Sequence, residues 1–172
     1  ISTATDTLTG GAAWLTATDS GCDVCANGII VQESASSTNT GHGISFTNAI
    51  FAFVGLGAAP LGILVRGTNT GSVRISGGAI AGPCSSAVVI AGTGPVTISG
   101  LTIPGGLTTN SVIQLIGGLV TPLPVEVSNC QILFTGGSSF LASDKVRGSI
   151  AGCNSARTVA GFLTGSSTDS LV

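Results

Sequence analysis

A short apolar pattern recurs five times along the chain and limits the folds that the chain can adopt more than any other feature. Each copy has an apolar residue, any residue, a second apolar residue, Ser or Thr, three further residues and another apolar residue. This alternation places neighbouring side chains on opposite faces, which is typical of a strand with one buried face. Successive copies start 29, 23, 29 and 21 residues apart. They span residues 44–51, 73–80, 96–103, 125–132 and, in a degraded form, 146–153.

A second, shorter apolar run precedes each copy of the repeat. Helices are disfavoured because Gly, Ser, Thr and Val are abundant, and no Leu-, Glu- and Lys-rich amphipathic stretch occurs. Strands that recur without helical crossovers stack most simply as successive turns of a coil, about 4.8 Å apart. We therefore predict an all-β parallel β-solenoid of five to six turns over residues 28–172, preceded by an N-terminal cap over residues 1–27. The shorter runs are 29–31, 63–65, 88–90, 113–116 and 140–141, and 162–163 opens one more turn.

Aligning the copies predicts which side chains stack on one another. The second position faces outward, so Glu126 and Arg147 are expected on neighbouring turns as a salt bridge. The third position faces the core, and Gly148 there predicts that the solenoid narrows or changes register. The outward column is Ser45, Arg74, Thr97, Glu126 and Arg147, and the inward column is Phe46, Ile75, Ile98, Val127 and Gly148.

The residue after the Ser or Thr is Asn or Gly in four copies. Asn48, Gly77, Gly100 and Asn129 hold this position. Both residue types tolerate the left-handed backbone conformation, which a sharp bend between two strands requires. We predict that the chain bends at these four residues.

Copies such as Val96-Thr-Ile-Ser-Gly100 make the sequence similar to the right-handed parallel β-helix of the pectate-lyase-like superfamily. Within that superfamily, residues 28–165 most resemble the Gly-, Ser- and Thr-rich turns of bacteriophage tailspike and tail-fibre proteins. The resemblance implies a homotrimer that is assembled in the host cytoplasm and placed on the virion tail. It also implies contact with bacterial surface polysaccharide, through a structural and receptor-binding part. The alternative implied by the same resemblance is a polysaccharide depolymerase, either a glycosidase or a lyase.

Charged residues are scarce. Only 12 of the 172 residues are Asp, Glu, Lys or Arg, which is 7% where roughly 25% is usual. A compact monomer would therefore expose roughly 630 Å² per charge. Residues 75–125 carry no charge at all, which indicates a face buried between copies, or a neutral surface hydrated by Ser, Thr and Gly. The composition excludes intrinsic disorder, and five Lys and Arg residues are too few for nucleic-acid binding.

One apolar stretch raises the question of membrane insertion. Residues Ala49–Val65 contain no polar side chain, and their number is at the lower edge of what spans a bilayer. Pro60 and three glycines interrupt the stretch as a helix, so we expect it to join two strands and not to enter a membrane. Because the chain starts at Ile1 and contains no Met, we expect it to be a piece of a longer protein.

Few residues are available for catalysis. A glycosidase needs two carboxylates about 5–10 Å apart, and the chain has seven carboxylic acids. Asp19 with Asp23, or either of them with Glu33, is the candidate catalytic constellation. Asp19 and Asp23 lie in Thr-Asp-Ser-Gly-Cys-Asp, where Asp also stabilises a turn through its own backbone.

The polar segments 33–43, 66–71 and 135–139 are candidate contact loops for a glycan, because their side chains can hydrogen-bond hydroxyl groups. Thr38, Asn39, His42 and Asn69 are the candidate binding residues in them. The same segments are equally consistent with solvated turns. No cofactor is predicted.

Five cysteines are present. Cys22 and Cys25 form a Cys-x-x-Cys pair, but no second pair accompanies it and His42 is the only histidine, so no metal site is predicted. A local disulfide and two free thiols both remain open for this pair. Cys130 aligns with Leu101 and Cys153 aligns with Ile132, and we predict that both cysteines are buried thiols.

Overall fold

The protein is all-β in the computed structural model, which describes residues 14–22, 28–32, 43–52, 61–67, 71–82, 84–104, 112–117, 122–133, 141–155, 163–165 and 170–171. These residues form a parallel β-solenoid and contain no helix. Each turn gives one strand to each of three sheets, called A, B and C, so strands that pair with each other are always separated by two others in the sequence. The predicted fold class is confirmed at this level.

Sheet A carries the recurring pattern. Its strands alternate between buried and exposed side chains, as the pattern predicts. Residues 14–18, inside the segment predicted to cap the solenoid, add one strand to this sheet through pairing with β4. The described strands of sheet A, in spatial order, are β1 (Trp14–Thr18), β4 (Gly43–Thr47), β7 (Val73–Ser76), β10 (Val96–Ser99), β13 (Leu123–Ser128), β16 (Val146–Ala151) and β19 (Ser170–Leu171).

Sheet B follows a sharp bend after each strand of sheet A. Its strands are only two or three residues long and also pair in parallel. The described strands of sheet B are β2 (Gly21–Cys22), β5 (Ile50–Ala52), β8 (Ala79–Ala81), β11 (Thr102–Ile103), β14 (Gln131–Ile132) and β17 (Asn154–Ser155).

Sheet C is formed by the short apolar runs that precede the repeat. Ile29 is in register with Ile63, which is in register with Val88, so the predicted second strand of each turn is confirmed. The described strands of sheet C are β3 (Ile29–Gln32), β6 (Leu61–Arg66), β9 (Ser86–Ala91), β12 (Ile113–Ile116), β15 (Leu141–Asp144) and β18 (Leu163–Gly165).

The core is a stack of apolar side chains between the three sheets. The predicted inward column is confirmed for its first four members, which are at most 1% exposed. Sheets B and C contribute residues such as Ile80, Ile103 and Ile113, each 0% exposed. Because the same position of every turn points inward, one apolar column per strand position builds the whole core.

The fifth copy of the repeat was aligned wrongly. In the structure Glu126 is in register with Ser149, and Arg147 is in register with Pro124. The alignment that predicted a Glu126–Arg147 salt bridge is therefore wrong by two residues. Gly148 lies beside Val125 and not beside Val127, and an added Cβ at Gly148 would collide with the Val125 carbonyl group. The predicted change at Gly148 is thus a close approach of two backbones, which explains the missing side chain.

The bends between sheets A and B form their own column. Asn48, Gly77, Gly100 and Asn129 have φ values of +51°, +67°, +66° and +54°, which confirms the predicted left-handed bends. The column extends to the turns on both sides, where Asp19 has a φ of +49° and Gly152 one of +62°. One backbone conformation therefore recurs at six consecutive bends, and we call these six residues the bend column.

Two of the described thiols are fully buried, as predicted for Cys130. Cys84 and Cys130 are each 0% exposed, and Cys153 is partly exposed. All three are free. The predicted alignment of Cys153 with Ile132 is wrong, because Ile132 is in register with Ser155 and Cys153 lies next to Cys130.

The buried thiols predict a loss of stability in alkaline solution. Burial raises the pKa of Cys84 to about 12 and that of Cys130 to about 12. An unfolded thiol ionises near pKa 9.0, so between these values the unfolded chain loses protons that the folded chain keeps, and the stability falls as the pH rises. We expect the midpoint of chemical denaturation to fall steadily from pH 9 to pH 12 and to fall less in a Cys84→Ala variant. If the midpoint of the Cys84→Ala variant fell with pH as steeply as that of the unaltered protein, the buried Cys84 thiol would not be a cause of the alkaline loss of stability.

Candidate functional site

The outward face of sheet A carries two columns of mostly hydroxyl side chains, which we call the hydroxyl face. The columns follow from the register of the strands, because residues in register on parallel strands lie side by side. All their members are at least partly exposed. The first column is Thr16, Ser45, Arg74, Thr97, Glu126 and Ser149, and the second is Thr18, Thr47, Ser76, Ser99, Ser128 and Ala151.

The geometry of the hydroxyl face is regular. Members of one column are about 4.8 Å apart, and the two columns are about 6.6 Å apart along each strand. Only Arg74 and Glu126 carry charge among the twelve positions, and both lie in the first column. Each hydroxyl group is both a donor and an acceptor. The face can therefore hydrogen-bond an extended ligand that carries many hydroxyl groups.

The bend column borders the hydroxyl face, because each bend residue directly follows a member of the second column. At its N-terminal end the Asn48 side-chain Nδ2 donates a hydrogen bond to Oδ1 of Asp19, at 3.2 Å. Further along, an added Cβ at Gly77 would lie 2.5 Å from Oδ1 of Asn48. The Asn48 side chain is thus bonded to the turn before it and lies close to the turn after it.

A shallow depression of about 610 Å³ lies on the sheet B side of the same bends. It combines a carboxylate, an amide and a hydroxyl group with the apolar side chain of Ile50, which is 58% exposed. Ligand sites commonly combine apolar side chains with a small number of polar groups. The depression is lined by Asp19, Ser20, Gly21, Asn48, Ile50, Ala52 and Gly78.

Of the residues predicted for catalysis or binding, the structure describes Asp19 alone. Asp19 lies at the first bend, is exposed and lines the depression. Its left-handed backbone and its bond to Asn48 are the features of an Asp in a turn. The other predicted site residues lie outside the described residues: Asp23, Glu33, Thr38, Asn39, His42 and Asn69.

Asp19 and Glu126 do not form a glycosidase pair. Asp19 follows β1 and Glu126 lies in β13, which are four strand spacings apart in sheet A, or about 19 Å. Glycosidase carboxylates are about 5–10 Å apart. Asp144 lies at the end of β15 in sheet C, on another face of the solenoid. Asp19 and Glu126 are therefore too far apart to act together in hydrolysis.

The described residues contain neither a group of metal ligands nor a membrane-spanning helix. No three His, Cys, Asp or Glu side chains among them are grouped so that they could hold a metal ion. No helix long and apolar enough to cross a membrane is found in those ranges. The apolar stretch from Ala49 instead contributes β5 and β6 at its two ends, which confirms the two predicted strands.

The hydroxyl face and Asn48 were missed as site residues by the sequence predictions. The signal for the second column was present, because Ser or Thr at the fourth position defines the repeat. The alignment of the repeat places Arg147 at the last position of the first column, where the structure has Ser149.

No family model, no curated protein and no solved structure matches this chain.

Proposed function

We propose that the chain is the structural and receptor-binding part of a phage tailspike or tail fibre, and that its hydroxyl face binds bacterial surface polysaccharide. In this proposal the chain forms a right-handed β-helix of five to six turns, works as a homotrimer and is placed on the virion tail after assembly in the host cytoplasm. The resemblance of the repeat to tailspike turns supports the viral assignment. Seven described strands in sheet A and six in each of sheets B and C support the number of turns.

The observation that carries glycan binding is the pair of hydroxyl columns. A polysaccharide is an extended chain of neutral hydroxyl groups, and the hydroxyl face offers donors and acceptors at a regular spacing. The strands beneath are fixed by ladders on both sides and by a buried apolar column, so the hydroxyl groups are held in place before the ligand arrives. Such preorganisation lowers the entropic cost of binding.

The outward face of sheet B supports association of the copies. Ile50 and Leu133 on this face are 58% and 56% exposed. Ala79, Ala81 and Thr102 lie between them in the sheet, with no charged residue. Exposed apolar patches on a rigid sheet are typical of protein interfaces, and three copies around one axis would cover this face. Sheet A would then remain open to the glycan.

Glycan binding is tested by retention of the protein on immobilised capsular and lipopolysaccharide glycans, with reducing and unsaturated sugar ends measured in the same samples. We expect retention without release of new ends. Release of ends would support the depolymerase instead, and absence of both would contradict the proposal.

The hydroxyl face is tested by a Thr47→Val, Thr97→Val double variant. Valine has the shape of threonine without its hydroxyl group, so we expect retention to weaken about tenfold or more, at about 1 kcal/mol for each lost hydrogen bond. Thr93→Val is the matched control, because Thr93 is exposed and lies neither in the columns of the hydroxyl face nor on sheet B, so this variant should bind glycan normally. Equal loss in the control, or no loss in the double variant, would exclude sheet A as the binding face.

The oligomer is tested independently by the mass of the protein in solution at micromolar concentration. We expect the mass of three chains, and an Ile50→Lys, Leu133→Lys variant should shift it towards one chain because lysine cannot be buried there without a partner. A single-chain mass for the unaltered protein would contradict the homotrimer.

A further inference from the structure

Cys130 and Cys153 occupy the same position of two consecutive turns. The residues that follow them, Gln131 and Asn154, are in register, and the Asn154 amide donates a hydrogen bond to the Cys130 carbonyl at 2.8 Å. Residues side by side on neighbouring parallel strands are about 4.8 Å apart. This spacing lies within the 4.4–6.8 Å range that joins the Cα atoms in disulfides.

The two thiols also lie close together. The Cys130 thiol donates to the carbonyl of Ser128 at 3.4 Å. The Cys153 thiol reaches across to the carbonyl of Val127 at 3.8 Å, which is on the turn that carries Cys130. The side chains of Cys130 and Cys153 are within hydrogen-bonding contact of each other. The strand register and the proximity of the two thiols therefore both favour a disulfide between them.

We propose that Cys130 and Cys153 form a disulfide when the protein meets a peroxide or another two-electron oxidant, and that this bond joins two consecutive turns. The reaction proceeds in two steps. The Cys153 thiolate attacks one oxygen of hydrogen peroxide, so that an S–O bond forms, the O–O bond breaks and hydroxide leaves as water after taking a proton. The Cys130 sulfur then attacks the Cys153 sulfenic acid. The S–S bond forms, the S–O bond breaks, and the second oxygen leaves as water with the Cys130 proton.

The different surroundings of the two thiols set the order of these steps. Cys153 is partly exposed and can meet an oxidant, whereas Cys130 is 0% exposed. The pKa of Cys130 is raised to about 12, mainly by burial and to a smaller extent by the neighbouring Cys153. Cys130 is therefore protonated and out of contact with solvent, so it does not react with the oxidant itself. It reacts instead with the Cys153 sulfenic acid beside it.

Peptide mapping of the full chain under non-reducing conditions tests the proposal. The protein is treated with hydrogen peroxide in native buffer, alkylated and digested with trypsin, which cleaves after Lys and Arg. Cys153 is then the single cysteine of peptide 148–157, and peptide 75–145 contains Cys84 and Cys130. In a Cys84→Ser variant Cys130 is the only cysteine of the longer peptide, so a link between the two peptides identifies the bond.

We expect the linked pair of peptides in the oxidised protein, its loss on treatment with dithiothreitol, and its absence from Cys130→Ser and Cys153→Ser variants. The melting temperature of the oxidised protein should rise by about 5–10 °C, because the bond closes a loop of about two dozen residues. A sulfinic acid on Cys153 without a link, or a link from Cys153 to another cysteine, overturns the proposal. If the Cys84→Ser variant does not fold, fragmentation of the linked peptides from the unaltered protein decides which cysteine is joined.

Discussion

Replacement of Ile98 by alanine is expected to lower the free energy of unfolding by about 2–5 kcal/mol. Ile98 is 0% exposed and lies in β10, between Ile75 on one side and Val127 on the other. Its removal leaves a cavity that neither neighbouring turn can fill, because their backbones are fixed by ladder hydrogen bonds. The measurement is chemical denaturation followed by the β-sheet signal in circular dichroism.

Thr97→Ala in the same strand is the matched control. Thr97 faces outward and is only partly buried, so we expect its replacement to change the stability by no more than about 0.5 kcal/mol. Equal effects of the two substitutions would mean that β10 does not have the inward and outward faces described above.

Replacement of Gly78 by alanine should lower the free energy of unfolding by a similar amount, roughly 3 kcal/mol or more. Gly78 has a φ of +88°, and an added Cβ would collide with the carbonyl oxygen of Ala49 and lie 2.7 Å from its backbone nitrogen. The colliding atoms are backbone atoms of the neighbouring turn, and among them the Ala49 carbonyl oxygen also accepts the amide hydrogen bond of Ala79. Relief of the collision therefore requires that two turns separate.

Gly100→Ala isolates the conformational part of this effect. Gly100 has a φ of +66°, yet an added Cβ would be 3.7 Å from its nearest neighbours, which is ordinary contact. We expect a loss of about 1–2 kcal/mol, the usual cost of the left-handed conformation for a residue with a Cβ. Thermal unfolding of the two variants side by side gives the comparison. A smaller loss for Gly78→Ala than for Gly100→Ala would exclude the close approach of Gly78 to Ala49.

The repeat was sufficient to predict the strands of sheet A and their inward faces in four copies. It failed in the fifth copy because Ser149 matches the Ser of the pattern in sequence, although in the structure Ala151 is in register with Ser128. The bend residue was the better guide, since Gly152 has a φ of +62° and stands at the position of Asn129. Only a few residue types tolerate this conformation, so the bend position is constrained by the backbone, whereas the Ser position is constrained only by exposure.

The candidate site was predicted less well than the fold. Asp19 was selected as a possible catalytic acid, and its described neighbour is the amide of Asn48, which lies 29 residues away in sequence. A sequence shows that a residue is polar and able to react, but the group beside it comes from another turn. For the same reason the sequence predicted Cys130 as a buried thiol and did not predict that Cys153 lies beside it.

The amino-acid sequence by itself determined the secondary structure, the faces of the strands and the conformation of four bends, because the period of two and the Asn or Gly at each bend act within a few residues. The tertiary structure alone decided the register of the fifth copy, the hydroxyl face, the Asp19–Asn48 contact and the Cys130–Cys153 pair. Each of these depends on which residues of consecutive turns become neighbours. The register is set by how closely the backbones of two turns can approach, as at Gly148 and Val125. A change of two residues in the register gives every residue of the strand a different neighbour.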